Sequence, residues 1–587
     1  MEELDYTKSA SDFIDDVNAN LEEMGSEAEV SASMSAGTLV STLNNVFDDV
    51  DDAVELDTNQ SAVTFVTNLN TNFGLAEDSG GGGSDTPSED GIDAFDSTKY
   101  GAEMTDTVNK VNAFKDTADL IFIVSTDQHH ERPETKTVTV GGTSYEVSLN
   151  AHGTQNGTEV YDYHSDTLSP MMSNQKEFLK RATQNNINVD AIVSLGDMFD
   201  GYRKNYVVDD VTIMSAKDIV IEYITRIKNK FKALSSEYDV PLIFAVGNHD
   251  DDHEISGKAW GNGTDSNFTY KDLYDLYISD TANPDSNHRS EKQGGLNYFV
   301  DYENVKIRVI VLYCQYPAYD SNNPNKGHST GWTIPSDAKD YFASCMTSLP
   351  SDYKAIVMCH IHPADSESVY GTNDFVNLAA QYSMTNESQG KVICYLSGHS
   401  HVDLAYGYPV ASFAFCCNLQ SSINSPVSGA SYRRHLDDND LWQVVAVDTT
   451  NRLVRVVRFG GYIGNKTVNN VTFVDLSGMD EIFHYEQIVK SSGTVTLTPT
   501  LQNVVEWGIV GTSWRVVNHN NTSQSSYQTV YNASDYASIS AAQDNGSCTV
   551  TITAQDSTYP QCVTVWARNT DSFEYWVIQI PRTSQSS

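Results

Sequence analysis

Five short runs in this sequence combine carboxylate, imidazole and carboxamide side chains at spacings suited to holding metal ions. They are Asp127-Gln128-His129, Gly196-Asp197-Met198-Phe199-Asp200, Gly247-Asn248-His249-Asp250, Cys359-His360-Ile361-His362 and Gly398-His399-Ser400-His401. Aspartate and histidine with an asparagine carbonyl, and no thiolate required, suit borderline or hard divalent ions, whereas a structural zinc would usually take cysteine. The set is too large for one ion. Two ions ~3.5–4 Å apart, sharing a bridging carboxylate, would clamp a phosphoryl oxygen and lower the pKa of a bound water, which is the chemistry of phosphoester hydrolysis.

Each run stands directly after an apolar stretch that reads as a buried strand: Leu120–Val124, Ala191–Leu195, Leu242–Val246, Ala355–Met358 and Val392–Leu396, with a further strand expected at Ile307–Leu312. Helical periodicity falls between them, near Gln175–Thr183, Ala216–Leu234 and Ser336–Met346. That alternation predicts an α/β domain, and ligands of open α/β sheets gather where strands end. The five runs are therefore expected to converge on one edge. Between the first strand and its helix, Thr137–Asp166 is rich in Val, Thr, Tyr and Gly and reads as an inserted hairpin.

Taken in order, from Asp127 to His401, the runs resemble the calcineurin-like metallophosphoesterase family, whose blocks are Asp-x-His, Gly-Asp-x-x-Asp, Gly-Asn-His-Asp/Glu, a lone His and Gly-His-x-His. The resemblance implies a β-sandwich flanked by helices and two divalent ions drawn from Mn, Fe, Zn, Ni or Mg. It implies Asp127, His129 and His401 on the first ion, Asn248, His360 and His399 on the second, and Asp197 bridging. A metal-bound hydroxide would then attack phosphorus in line, with His249 as general acid and Asp250 beside it favouring the imidazolium. Asp200 would orient a ligand without binding metal itself. One departure stands in the fourth block, where the family's histidine two residues before the proline is replaced here by Ile361. His360, nearer the strand end, is the expected ligand, and His362 an expected substrate contact. Arg203 and Lys204 are candidate contacts to a phosphate oxygen.

The whole chain has 587 residues, enough for about four folding units. With 36 Lys+Arg against 79 Asp+Glu, its formal charge of −43 opposes binding to nucleic acid or anionic membrane. No apolar run approaches the ~20 residues of a membrane span, and the start Met1-Glu2-Glu3-Leu4-Asp5 lacks a basic and an apolar signal region. Synthesis in the cytoplasm without a signal peptide is expected. Eight cysteines do not make a disulfide framework. Alternation around Cys548 and Cys562 sets that pair on opposite faces more readily than on one.

The expected organisation has four parts. Residues 1–77 form an acidic helical segment for docking or homo-oligomerisation, and 78–100 a linker containing Ser79-Gly80-Gly81-Gly82-Gly83-Ser84. Residues 101–490 form the metallophosphoesterase domain, with an insert near 132–170, and 495–587 a small all-β domain that resembles a bacterial immunoglobulin-like β-sandwich. This layout resembles phage virion and tail-associated enzymes, and also bacterial surface hydrolases. The expected function is a dimetal phosphoesterase acting on a phosphomonoester or, in preference, a phosphodiester, with a cell-envelope polymer as the candidate substrate and a phage virion as the candidate setting. A cell-envelope glycan or virion proteins would be its partners. The alternative is a virion or surface adhesion protein that uses the fold mainly for binding, with the bacterial surface or cytoplasm as alternative locations.

Overall fold

The computed structural model describes residues 92–128, 134–149, 151–155, 158–161, 171–199, 205–247, 250, 268–279, 281, 288–290, 295–313, 336–361, 378, 382–383, 391–399, 404–407, 411–414, 442–460, 464–468, 471–475, 478–510, 512–515, 529–540, 546–553 and 561–581, together with Val17. They divide into two compact units, residues 1–109 with 172–178, and residues 110–171 with 179–587. Most of the expected acidic segment and of the linker lies outside the described residues. The first described helix, α1 (Ser97–Asn112), begins inside the stretch expected to be linker. Asp96 explains the start, because its side chain accepts from Lys99 N at 3.0 Å and its carbonyl from Tyr100 N at 2.9 Å.

In the second unit, parallel strands β1 (Leu120–Ser125), β2 (Ala191–Ser194) and β3 (Leu242–Phe244) lie side by side. All of their residues are buried, as expected of apolar runs covered on both faces. A second, six-stranded sheet contains β4 (Tyr298–Tyr302), β5 (Ile307–Leu312), β6 (Lys354–Ile361) and β7 (Val392–Gly398), with β5, β6 and β7 parallel. β6 runs further than its apolar stretch suggested. It continues through His360 and Ile361, with a register irregularity between Met358 and Ile361 that interrupts its pairing to β7.

Two of the helices pack against the sheets by amphipathic faces. In α2 (Met171–Gln184) and α3 (Ala216–Tyr238) the expected helices are present and longer than their periodic cores. Ile219, Tyr223, Ile227, Phe231 and Leu234 of α3 are buried at helical spacing. Ser215 caps its first turn by accepting from Asp218 N, and Asp239 ends it in the left-handed conformation. In α4 (Ser336–Thr347), Phe342, Cys345 and Met346 join Ile310, Val357 and Cys359 in one buried cluster. Tyr298 links the two sheets: its hydroxyl donates to Phe244 O at 2.8 Å and accepts from Phe244 N at 3.0 Å. No helix among the described residues is long and apolar enough to cross a membrane.

After α4 the long described elements are all strands. β8 (Trp442–Asp448) pairs antiparallel with β1, β9 (Leu453–Phe459) with β8, and β10 (Asp480–Val489) with β9. The expected C-terminal strands are present in Gln561–Arg568 and Ser572–Ile580, and the latter pairs in parallel with β10. One layer of the C-terminal β structure is therefore a continuation of the large sheet, across the expected boundary at 490–495. Its other layer is a three-stranded sheet of Gly493–Leu497, Cys548–Ile552 and Ala537–Ile539. Val550, Ile552, Val563, Val565 and Trp576 form the core there. Cys548 and Cys562 are free, buried thiols.

Candidate metal centre

The C-terminal ends of β1, β2, β6 and β7 bring four predicted ligands together. Asp127 and Asp197 are wholly buried, as is His360, and His399 is half-buried. His360 Nε2 lies 3.0 Å from Asp197 Oδ2 and 4.0 Å from Asp127 Oδ1. The rings of His360 and His399 stand edge to face with centroids 5.3 Å apart. One ligand atom each from Asp197, His360 and His399 fall within 4.8 Å of one another, close enough to share a cation.

The backbone is shaped for this convergence. Asp127 (φ 52°), Asp197 (φ 53°) and His399 (φ 75°) all take the left-handed conformation directly after their strands. Such residues are uncommon and cluster where a site over-determines the chain. Asp127 N donates to Gly196 O at 2.9 Å, which joins the first two runs. His399 N donates to the Asp127 carboxylate at 3.0 Å, and Thr126 Oγ1 donates to the same group at 2.8 Å. Two motif glycines are demanded by space. A Cβ on Gly247 would collide with the Asp197 carboxylate and backbone nitrogen, and one on Gly398 with Thr126 Oγ1 and Asp127 Oδ2.

Side-chain chemistry follows from these contacts. His360 Nδ1 lies 3.0 Å from Leu195 O, so that ring nitrogen carries the proton and Nε2 faces the carboxylates. Burial works against an imidazolium at His360, but the charges of Asp197, Asp127 and Asp250 outweigh it and raise its pKa to about 9. At Asp250 burial, reinforced by the Asp197 charge, pushes the carboxyl up to about 7 against the hydrogen bonds from Gly247 and Met198. Three buried acids, Asp127, Asp197 and Asp250, thus crowd around a ring whose charge offsets them only in part. A divalent cation at the His360–Asp197 cluster would offset the rest, and the hard oxygens with imidazole nitrogens are the donor set it prefers.

Asp250 is bonded to the backbone of two loops. Its carboxylate accepts from Gly247 N at 2.7 Å, Asp197 N at 2.8 Å and Met198 N at 2.8 Å. Tyr277 OH donates to its carbonyl at 3.0 Å from a π-helical turn, Tyr274–Ile278. Tyr277 was not singled out from the sequence, and no local pattern marks it. Thr126 was missed too, although its place beside Asp127 at a strand end was a usable signal. His129, Asp200, Arg203, Lys204, Asn248, His249, His362 and His401 lie outside the described residues.

Residues 162–403 match the model of the calcineurin-like phosphoesterase family. The match opens downstream of Asp127, but β1 pairs in parallel with β2, so the sheet carries the first run into the matched segment's own site. A comparison with curated proteins gave no match. Among solved structures, the chain is similar to a crystal structure of a dimetal phosphatase from Danio rerio, with 10% identity over 58% of this chain and 96% of that chain and a TM-score of 0.34.

Proposed function

We propose that the chain is a metal-dependent hydrolase of phosphoesters. The observation that carries this reading is the convergence of Asp127, Asp197, His360 and His399 from four strand ends into one buried cluster. The family match over 162–403 supports it. In this reading Asp127, His129 and His401 would hold one divalent ion, Asn248, His360 and His399 another, and Asp197 would be a ligand shared by both. Two such ions supply, when bound, a nucleophile from water at neutral pH and neutralise charge at phosphorus. Around them, His360 keeps its Nε2 aimed at the cluster through the Nδ1–H bond to Leu195 O. His249 gives a proton to the leaving oxygen, and Arg203, Lys204 and His362 contact the substrate.

The finer reading is a phosphodiesterase acting on a cell-envelope polymer from a phage virion. It is supported by the modular layout: an acidic start whose first hundred residues hold only Lys8 and Lys99 as basic groups, a glycine run, the enzyme and a β-rich end that we read as immunoglobulin-like. The acidic start would dock or oligomerise the chain. Metal-stripped protein should be assayed on p-nitrophenyl phosphate and on bis(p-nitrophenyl) phosphate after return of Mn, Zn, Ni, Fe or Mg, with Asp197→Ala as control. Turnover that needs metal and Asp197 supports the reading, and the faster ester decides between mono- and diester. Absence of both metal binding and turnover would sink it.

A further inference from the structure

Both oxygens of the buried Asp250 carboxylate are turned onto the backbone of the ligand loops. Its two oxygens take three N–H groups: Gly247 and Asp197 on Oδ2, Met198 on Oδ1. These groups belong to the loop after β3 and the loop after β2. The carboxylate thus ties together the turn that presents Asp197 and the turn that opens Gly247-Asn248-His249. Asp197 is held with φ 53°, a conformation that a non-glycine residue leaves unless its surroundings enforce it. The N–H that Asp250 holds is Asp197's own, so the clamp acts directly on the strained residue. Tyr277, wholly buried, fixes the clamp from behind through the Asp250 carbonyl.

We propose that Asp250 is a positioning residue: its carboxylate sets the left-handed turn at Asp197 and thereby the place of the Asp197 carboxylate between the metal ions, instead of serving as the proton-transfer partner of His249. This rests on the metal-dependent reading above. The chemistry requires an acceptor at both oxygens. A carboxamide of the same shape has one oxygen and one NH2, so Asp250→Asn would set a donor against a backbone donor on one side of the clamp.

The experiment is metal titration followed calorimetrically with Mn alone, on wild type, Asp250→Asn and Tyr277→Phe, together with pH–rate profiles on bis(p-nitrophenyl) phosphate and on an alkyl ester with a poor leaving group. The expected result is at least about 10-fold weaker Mn binding in Asp250→Asn. Its kcat falls by the same factor for good and poor leaving groups, with the pH profile unchanged in shape, and Tyr277→Phe shows a smaller effect in the same direction. Wild-type Mn affinity in Asp250→Asn, with a shifted basic limb and a loss confined to the poor leaving group, would overturn the proposal in favour of proton transfer. Should Asp250→Asn fail to fold, Tyr277→Phe decides, and wild-type Mn affinity there would overturn the clamp. Wild-type protein that neither binds Mn nor turns over would instead overturn the phosphoesterase reading, and the clamp with it.

Discussion

His360 Nε2 stands 3.0 Å from Asp197 Oδ2, although β6 carries the histidine in one sheet and the aspartate follows β2 in the other. The contact makes the centre a joint product of both sheets, and disturbing either should be felt at the metal. His360→Ala is expected to lose metal measured by mass spectrometry of the desalted protein and to lower kcat by about 100-fold or more. His362→Ala should keep the metal and act mainly on KM. Retention of full metal by His360→Ala would show that His362 is the ligand.

Removing metal should lower stability as well as activity, because ions that bind only the folded chain stabilise it by mass action. The chelated protein is expected to melt at a lower temperature than the protein with Mn returned. At an ion concentration 100 times the Kd the gain is about 2.7 kcal/mol. Scanning calorimetry with and without chelator checks this, and His399→Ala should shrink the difference.

Gly247 and Gly101 should answer alanine in opposite ways. Gly247→Ala drives a methyl into the Asp197 carboxylate and is expected to cost about 1–3 kcal/mol in urea unfolding, with metal affinity falling. Gly101 sits inside α1, where the nearest atom to an added Cβ is Ser97 Cβ at 3.9 Å. Gly101→Ala should therefore stabilise by about 0.5–1 kcal/mol, as alanine replacing glycine in a helix does.

Asp190 lies at the other end of β2, accepting from Ile121 N at 2.8 Å and from Asn188 Nδ2 at 2.9 Å. Burial overrides these bonds and pushes its carboxyl from 3.8 up to about 6. The folded chain then holds this proton more tightly than the unfolded chain, so the group's contribution is full below pH 4 and is lost as pH rises through about 6. That separation converts to at most about 3 kcal/mol, less because solvent screens a half-buried group. Asp190→Asn should be more stable than wild type at pH 7–8, with the advantage shrinking below pH 6 and gone near pH 4. Urea unfolding of both proteins across that range checks the sign, and an advantage that grew on acidification would refute it.

The residue types of the centre were legible because each stands next to a strand that announces itself. A run such as Leu120–Val124 is apolar on every side chain because both of its faces are covered, and the first polar residues after it mark where the strand meets the edge. The helices Gln175–Thr183, Ala216–Leu234 and Ser336–Met346 were equally plain, since periodicity of 3.6 is a local property. Ends were harder. β6 continues to Ile361 because pairing with its neighbours outlasts the apolar run.

By itself the sequence determined which residue types stand at the strand ends, Asp127, Asp197, His360 and His399 among them, because side-chain type and strand patterning are written residue by residue. Only the tertiary structure decided that Asp250 faces three backbone N–H groups, that Asp127, Asp197 and His399 turn left-handed, and that the C-terminal strand Ser572–Ile580 continues the sheet of β10. The physical reason is common to all three. The bonds from Asp197 and Met198 to Asp250, the enforced backbone strain and the parallel pairing come from segments far apart in the chain meeting at close range, and no short window of sequence contains both partners.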